Sequence, residues 1–214
     1  MKRSPFPGSC IFCQKDLPKV AVAKHLSTCA RRPQGDRKAF HLIVESPRTP
    51  YWLHLEGDAK ASLRALDHLL RNLWLECCGH LSAFTIGDLC FTSGDPQGLE
   101  DRDMDVVLEK VLTPGLTCVY QYDFGSTTEL QLRVIAALTH GHSGKPPILL
   151  LAQNSPPEVA CSNCGQPSTL ICSDCVYSGK GALCNKCAKE HDCGEEKLLA
   201  LVNSPRAGVC AYAG

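Results

Sequence analysis

Residues 40–57, FHLIVESPRTPYWLHLEG, decide how the middle of this 214-residue chain is read. Phe40–Ser46 and Tyr51–Gly57 are rich in aromatic and branched aliphatic residues, which suit a pleated, packed surface, so both are expected to be strands. Between them PRTP (47–50) carries two prolines and turns the chain. Beyond Asp58, a candidate cap, SLRALDHLLRNLWL (62–75) places Leu63, Leu66, Leu70 and Leu73 at three- and four-residue steps, one face of a helix. SAFTIGDLCF (82–91) reads as strand. RDMDVVLEKVL (102–112) gathers Met104, Val107, Leu108 and Val111 on one side of a second helix, which Pro114 and Gly115 end. TCVYQYD (117–123) and TELQLRVIAAL (128–138) bracket the turn DFGST as a hairpin, and PPILLLAQN (146–154) supplies a last buried strand. Strands joined by short loops, with two interspersed helices, give an α+β domain over 39–153 with a mostly antiparallel sheet.

The composition is that of a soluble globular protein, 44% hydrophobic and 21% charged. No apolar run approaches the roughly 20 residues of a membrane span. The start, MKRSPFPGSC, has a basic flank with no apolar core behind it, which argues against a secretory signal and for a cytoplasmic protein without a membrane partner. Against that background 15 cysteines stand out, ten of them in the tight spacings of metal ligands. Reduced thiols holding zinc are expected in place of disulfides.

The N-terminal set is CIFCQKDLPKVAVAKHLSTC (10–29), C-x2-C-x11-H-x3-C. Cys10 and Cys13 sit on a tight knuckle. Pro18 suits the first turn of a helix on which His25 and Cys29, four apart, share a face. Three thiolates and an imidazole make a tetrahedral zinc shell, and a piece of about 20 residues needs the metal to fold. This predicts a C2HC finger over 8–32.

A second set follows the linker QNSPPE. Cys161, Cys164, Cys172, Cys175, Cys184, Cys187, His191 and Cys193 supply eight ligands, enough for two four-coordinate zincs in a cysteine-rich module over 158–214. Spacing leaves the pairing open. Alternate, cross-braced pairing groups Cys161, Cys164, Cys184 and Cys187 on one ion and Cys172, Cys175, His191 and Cys193 on the other, with Cys210 a substitute for Cys193. Three zinc ions are thus expected in all.

Three resemblances accompany these patterns. CIFCQKDLPKVAVAKHLSTCA resembles the ubiquitin-binding zinc fingers of the Rad-eighteen ubiquitin ligases. That family helps hold ubiquitin with an acidic residue where this chain has Ser27. CSDCVYSGKGALCNKCAKEH (172–191) is similar to B-box zinc domains of type one, which implies protein contacts without catalysis. YWLHLEGDAKASLRALDHLL (51–70), YQYDFGSTTELQLRVI (120–135), ILLLAQNSPP (148–157) and VNSPRAGVCAYAG (202–214) together resemble the plasmid ORF-three-like family, also described as an insertion-element passenger protein. That resemblance spans most of 40–214. It implies a small α+β domain, at times a mobile-element neighbourhood, and no established activity. The chain departs from the family at DFGSTTEL, where relatives often carry Trp, and at Ala211, where Gly is common.

Charge is unevenly spread. Residues 1–39 carry nine Lys/Arg against two Asp/Glu, and the remainder is acidic by the same margin, for a net charge of zero. A basic head points to an acidic partner. Lys19, Lys24, Ser27, Arg31 and Arg32 are the candidate partner-binding residues, facing a protein or, through phosphates, nucleic acid. Asp123-Phe124-Gly125 reads as a turn, since no other kinase element is present. His140 and His142 form half a metal site in a Gly/Pro loop. His54 and His68 read as packed or surface histidines, Cys118 as core, and Arg206 as a pin for the tail. Cys77, Cys78 and Cys90 have no assigned role. No nucleophile–base pair, open metal position or small-molecule site can be named, which leans against an enzyme. The preferred expectation is a non-enzymatic zinc-binding adaptor. The alternative is a nucleic-acid-binding accessory protein of a mobile element.

Overall fold

In a computed structural model of the chain, residues 7–47, 49–96 and 100–214 are described. They divide into two units, the described residues up to 70 with those of 81–155, and residues 71–80 with 156–214.

The first unit is built on one ten-stranded, mostly antiparallel sheet. Its strands are β1 (Pro7–Cys10), β2 (Asp16–Pro18), β3 (Arg37–Glu45), β4 (Trp52–Asp58), β5 (Ser82–Ile86), β6 (Leu89–Thr92), β7 (Asp101–Asp103), β8 (Thr117–Tyr122), β9 (Thr128–Gly141) and β10 (Ile148–Asn154), and their spatial order is β2-β1-β10-β4-β3-β9-β8-β5-β6-β7. Among the described residues, only β6 and β7 pair in parallel. The expected hairpins are present, with Leu42 opposite Leu55 and Tyr120 opposite Leu130. Residue 48 of the PRTP connection lies outside the described residues. β4 is buried at every position, as a central strand covered on both faces should be. β9 alternates, with Leu130, Leu132 and Val134 inward and Glu129, Gln131 and Arg133 outward.

Helix α1 (Lys19–Thr28) follows β2, and α2 (Leu63–Leu70) buries Leu63, Leu66, Asp67 and Leu70. Buried Asp67 accepts hydrogen bonds from Ser82 Oγ (2.6 Å) and Tyr120 Oη (2.7 Å), as a carboxylate out of water requires.

The helix expected over 102–112 shrinks to one turn, α3 (Leu108–Val111), and its first residues lie in β7. Asp103 accepts from the Asp105 amide, and both carboxylates bind Arg64. Such local Asp bonding competes with helix. The segment expected as a finger over 8–32 brings its four donors together and packs against the sheet. Its knuckle strand β1 pairs with β10, placing Gly8 opposite Asn154 and Cys10 opposite Ala152. Cys10, Val22, Leu26 and Cys29 share one apolar cluster with Trp52, Leu151 and Ala152. A side chain at Gly8 would collide with the Gln153 carbonyl and the Trp52 ring, so only glycine permits this seam. The N-terminal residues are therefore the edge of the sheet.

The second unit holds a three-stranded sheet in the order β12-β11-β13, from β11 (Leu170–Cys172), β12 (Ala182–Leu183) and β13 (Leu198–Ala200), and a short helix α4 (Asn185–Ala188). Its apolar cluster is Cys161, Cys172, Leu183 and Ala188, with Leu170 and Leu198 packed against it. Half of that centre is cysteine. Residues 71–75, expected to continue the preceding helix, form a π turn that buries Trp74 and Leu75 and leaves Leu73 half-exposed. The wider turn rotates the apolar face away from the 3.6-residue register.

Candidate metal centres

Among the described residues, four Cys/His quartets bring one donor atom from each residue to within 4.8 Å of the others. They are Cys10, Cys13, His25 and Cys29; Cys161, Cys164, Cys184 and Cys187; Cys172, Cys175, His191 and Cys193; and Cys77, Cys78, His80 and Cys210. Zn–S bonds of about 2.3 Å at tetrahedral angles put sulfurs about 3.8 Å apart, which is the scale on which to judge them.

In the first quartet the knuckle after β1 is closed by Gln14 N donating to Cys10 O (2.9 Å) and by Cys10 N donating to Lys15 O (3.1 Å). Gln14 takes a left-handed φ of 58° to make the turn. Pro18 stands at the N-cap of α1, and Cys29 is its C-cap. Cys10 and Cys29 sulfurs lie 4.0 Å apart, and Cys13 Sγ is 3.3 Å from His25 Nε2. The Lys15 amide leads the groups that pull the Cys13 thiol below its ordinary value, whereas burial pushes Cys10 up.

The second and third quartets interleave along the chain in the alternate order. Gly165, at φ 74°, turns the first knuckle, and its amide donates to Cys161 O. Cys164 and Cys184 sulfurs are 3.6 Å apart. Cys175 Sγ lies 3.5 Å from His191 Nε2 and 3.6 Å from Cys193 Sγ, so Cys193 completes this set and Cys210 does not. Within each set one thiol is pulled down and another driven up. Hydrogen bonding led by the Cys184 amide brings Cys161 to about 6, while bonds led by the Cys164 thiol push Cys187 up to about 12. Burial raises Cys172, but the Cys175 amide and the His191 ring outweigh it and bring it to about 7. The Cys175 thiol drives Cys193 to about 12. Sulfurs this crowded cannot all carry charge alone, and a divalent cation at their centre removes that repulsion. Soft sulfur and imidazole donors in fours are compatible with zinc.

The fourth quartet escaped the sequence reading. ECCGH (76–80) shows three donors in four residues, but its fourth ligand lies 130 positions away, so spacing could not reveal it.

The candidate partner-binding residues separate by environment. Lys24, Ser27 and Arg31 are exposed. Lys19 forms an ion pair with Glu45. Arg32 turns inward, its guanidinium donating to Glu56 Oε2 (2.6 and 3.2 Å) and to Leu26 O (3.1 Å). Glu56 is fully buried and also accepts from the His142 amide (2.6 Å), with His142 Nδ1 at 3.0 Å. Burial pushes its carboxyl up, but the Arg32 and His142 bonds outweigh this and hold it below the usual value. His142 therefore serves this internal network, while His140 is exposed; among the described residues neither joins a quartet. Asp123 Oδ1 accepts from the amides of Gly125 and Ser126, as a turn requires. Cys118 is core, and burial drives its thiol to about 12. His68 is exposed, and Arg206 is fully buried.

No protein-family model matches the chain, and no curated protein matches it. Among solved structures it is similar to MM3350, a protein of unknown function from Methanosarcina mazei Go1, at 16% identity and a TM-score of 0.48. The similarity covers 55% of this chain and 70% of that one. Among the described residues, no helix is long and apolar enough to cross a membrane.

Proposed function

We propose that this chain is a zinc-binding interaction protein without catalytic activity. Zinc occupies the quartets of Cys10, Cys161 and Cys172, and α1 presents the surface that a protein partner reads. Four protein donors per ion leave no coordination place for water or substrate, the mark of a structural site. The observation that carries the reading is Val20, 87% exposed on α1. Val20, Lys24 and Ser27 recur at four- and three-residue steps and share one face of the helix. The opposite face, Val22 and Leu26, is buried against the sheet, so α1 is held rigidly while its outer face stays open. A partner suited to it has an apolar spot flanked by acidic groups, which meet Lys24 and Arg31. Nucleic acid is the weaker reading because Lys19 and Arg32, two of the expected phosphate contacts, are engaged internally.

The test is affinity capture with the intact chain and with a Val20→Asp/Lys24→Glu variant, scoring proteins and nucleic acids separately. Both substituted side chains are solvent-facing, so metal content should not change. The expected result is a protein captured by the parent, weakened only mildly by salt because the apolar contact at Val20 remains, and lost in the variant. Capture of nucleic acid alone, weakening steeply with salt, would refute the proposal.

A further inference from the structure

We infer that Cys77, Cys78, His80 and Cys210 form a fourth zinc site, which clamps the turn at residues 76–80 to the C-terminal tail. The inference goes beyond the proposed function, since the three other sites do not require it.

The donors have the right separations. Cys78 Sγ is 3.5 Å from Cys77 Sγ, 3.5 Å from Cys210 Sγ and 2.9 Å from His80 Nε2, and Cys210 Sγ is 3.5 Å from His80 Nε2. Those sulfur distances match the 3.6 Å found in the second and third quartets. They are far beyond the roughly 2.05 Å of a disulfide. All four residues belong to the same unit.

Both chain segments are shaped to deliver these donors. Arg71 ties the turn together, donating to Glu76 Oε2 (2.8 Å) and to the His80 carbonyl (2.7 Å). Gly79 takes φ 77°, and its amide donates to Glu76 Oε1. This folds Cys77, Cys78 and His80 onto one point. On the tail, Cys210 and Ala211 adopt left-handed φ of 51° and 56° in succession. L-residues resist that conformation, so aiming the Cys210 thiol needs a compensating bond. The Cys210 amide donates to Tyr177 Oη (2.9 Å), which seats the turn. Ser204 Oγ donates to the Trp74 carbonyl (2.6 Å) and brings the tail beside the first segment.

Charge agrees. Three thiolates on one divalent zinc leave one negative charge. Arg206, fully buried, directs Nη2 to Cys77 Sγ at 3.5 Å and can offset it. Three sulfurs and one imidazole in a tetrahedron select zinc over harder cations.

The test is native mass spectrometry with elemental analysis of the full chain, beside Cys78→Ser and Cys210→Ser variants. Four zinc per parent chain, falling to three in each variant, is the expected result. Three zinc in the parent and no change in the variants overturns the site, as does a fourth metal that proves to be other than zinc. Alkylation of the parent provides a second readout that does not depend on the variants folding. Cys78 is exposed, so an alkylating reagent can reach a thiol there. Protection of Cys77, Cys78 and Cys210 until a chelator is added supports the site. Labelling of Cys78 before chelation, at least as fast as that of half-buried Cys90, overturns it.

Discussion

Acid should weaken the sheet unit through one buried pair, His41 and His54. Their ring nitrogens, His41 Nε2 and His54 Nδ1, lie 2.8 Å apart inside the β3–β4 hairpin, and His54 also packs edge-on against Trp52 at 5.6 Å. Burial is the main cause that depresses both rings, His41 to about 4 and His54 to about 3, from 6.5. A base depressed in the folded state binds its proton more readily when unfolded. Its stability contribution is therefore complete above the unfolded value and is lost as pH falls toward the folded one. Between about pH 6.5 and 4.5 each ring takes up most of a proton on unfolding, worth about 2 kcal/mol, or about 4 kcal/mol for the pair. That is a large share of a typical stability of about 5–15 kcal/mol. Glu56 and Asp58, both held below their usual values, act in the same direction but at lower pH. Urea unfolding of the parent and of a His41→Leu/His54→Leu variant across this window isolates the pair, because metal loss affects both proteins alike. The parent should lose about 4 kcal/mol more than the variant. Equal slopes, or a native-state imidazole NMR titration of either ring near 6.5, would refute the reasoning.

Arg32→Ala should destabilise the sheet unit by about 3–5 kcal/mol in urea unfolding, because it strands the Glu56 carboxylate in the interior. Arg31→Ala, at an exposed position, should stay within about 0.5 kcal/mol. Chelation should collapse the amide NMR dispersion of residues 158–214, whose apolar cluster is largely the ligating cysteines, while amides of β3, β4 and β9 remain protected from exchange. Persistent dispersion in the metal-free second unit would contradict this.

The sequence by itself determined the local chemistry. Alternation in β9, the turn prolines and the CxxC knuckles are short-range signals, and each led to the observed strand, turn or cluster of donors. It also supplied the members of three quartets, because their donors recur at close, regular spacing. Tertiary structure decided what depends on distant partners. Whether residues 8–32 stand alone or complete the sheet depended on β10 and on the Trp52 ring meeting Gly8. Whether Arg32 faces solvent or the interior depended on Glu56. Cys77, Cys78 and His80 gain a fourth donor only when the fold returns Cys210 to them. Periodicity registers which face of an element is apolar, but it carries no record of which remote side chain arrives to satisfy a charge or a thiol.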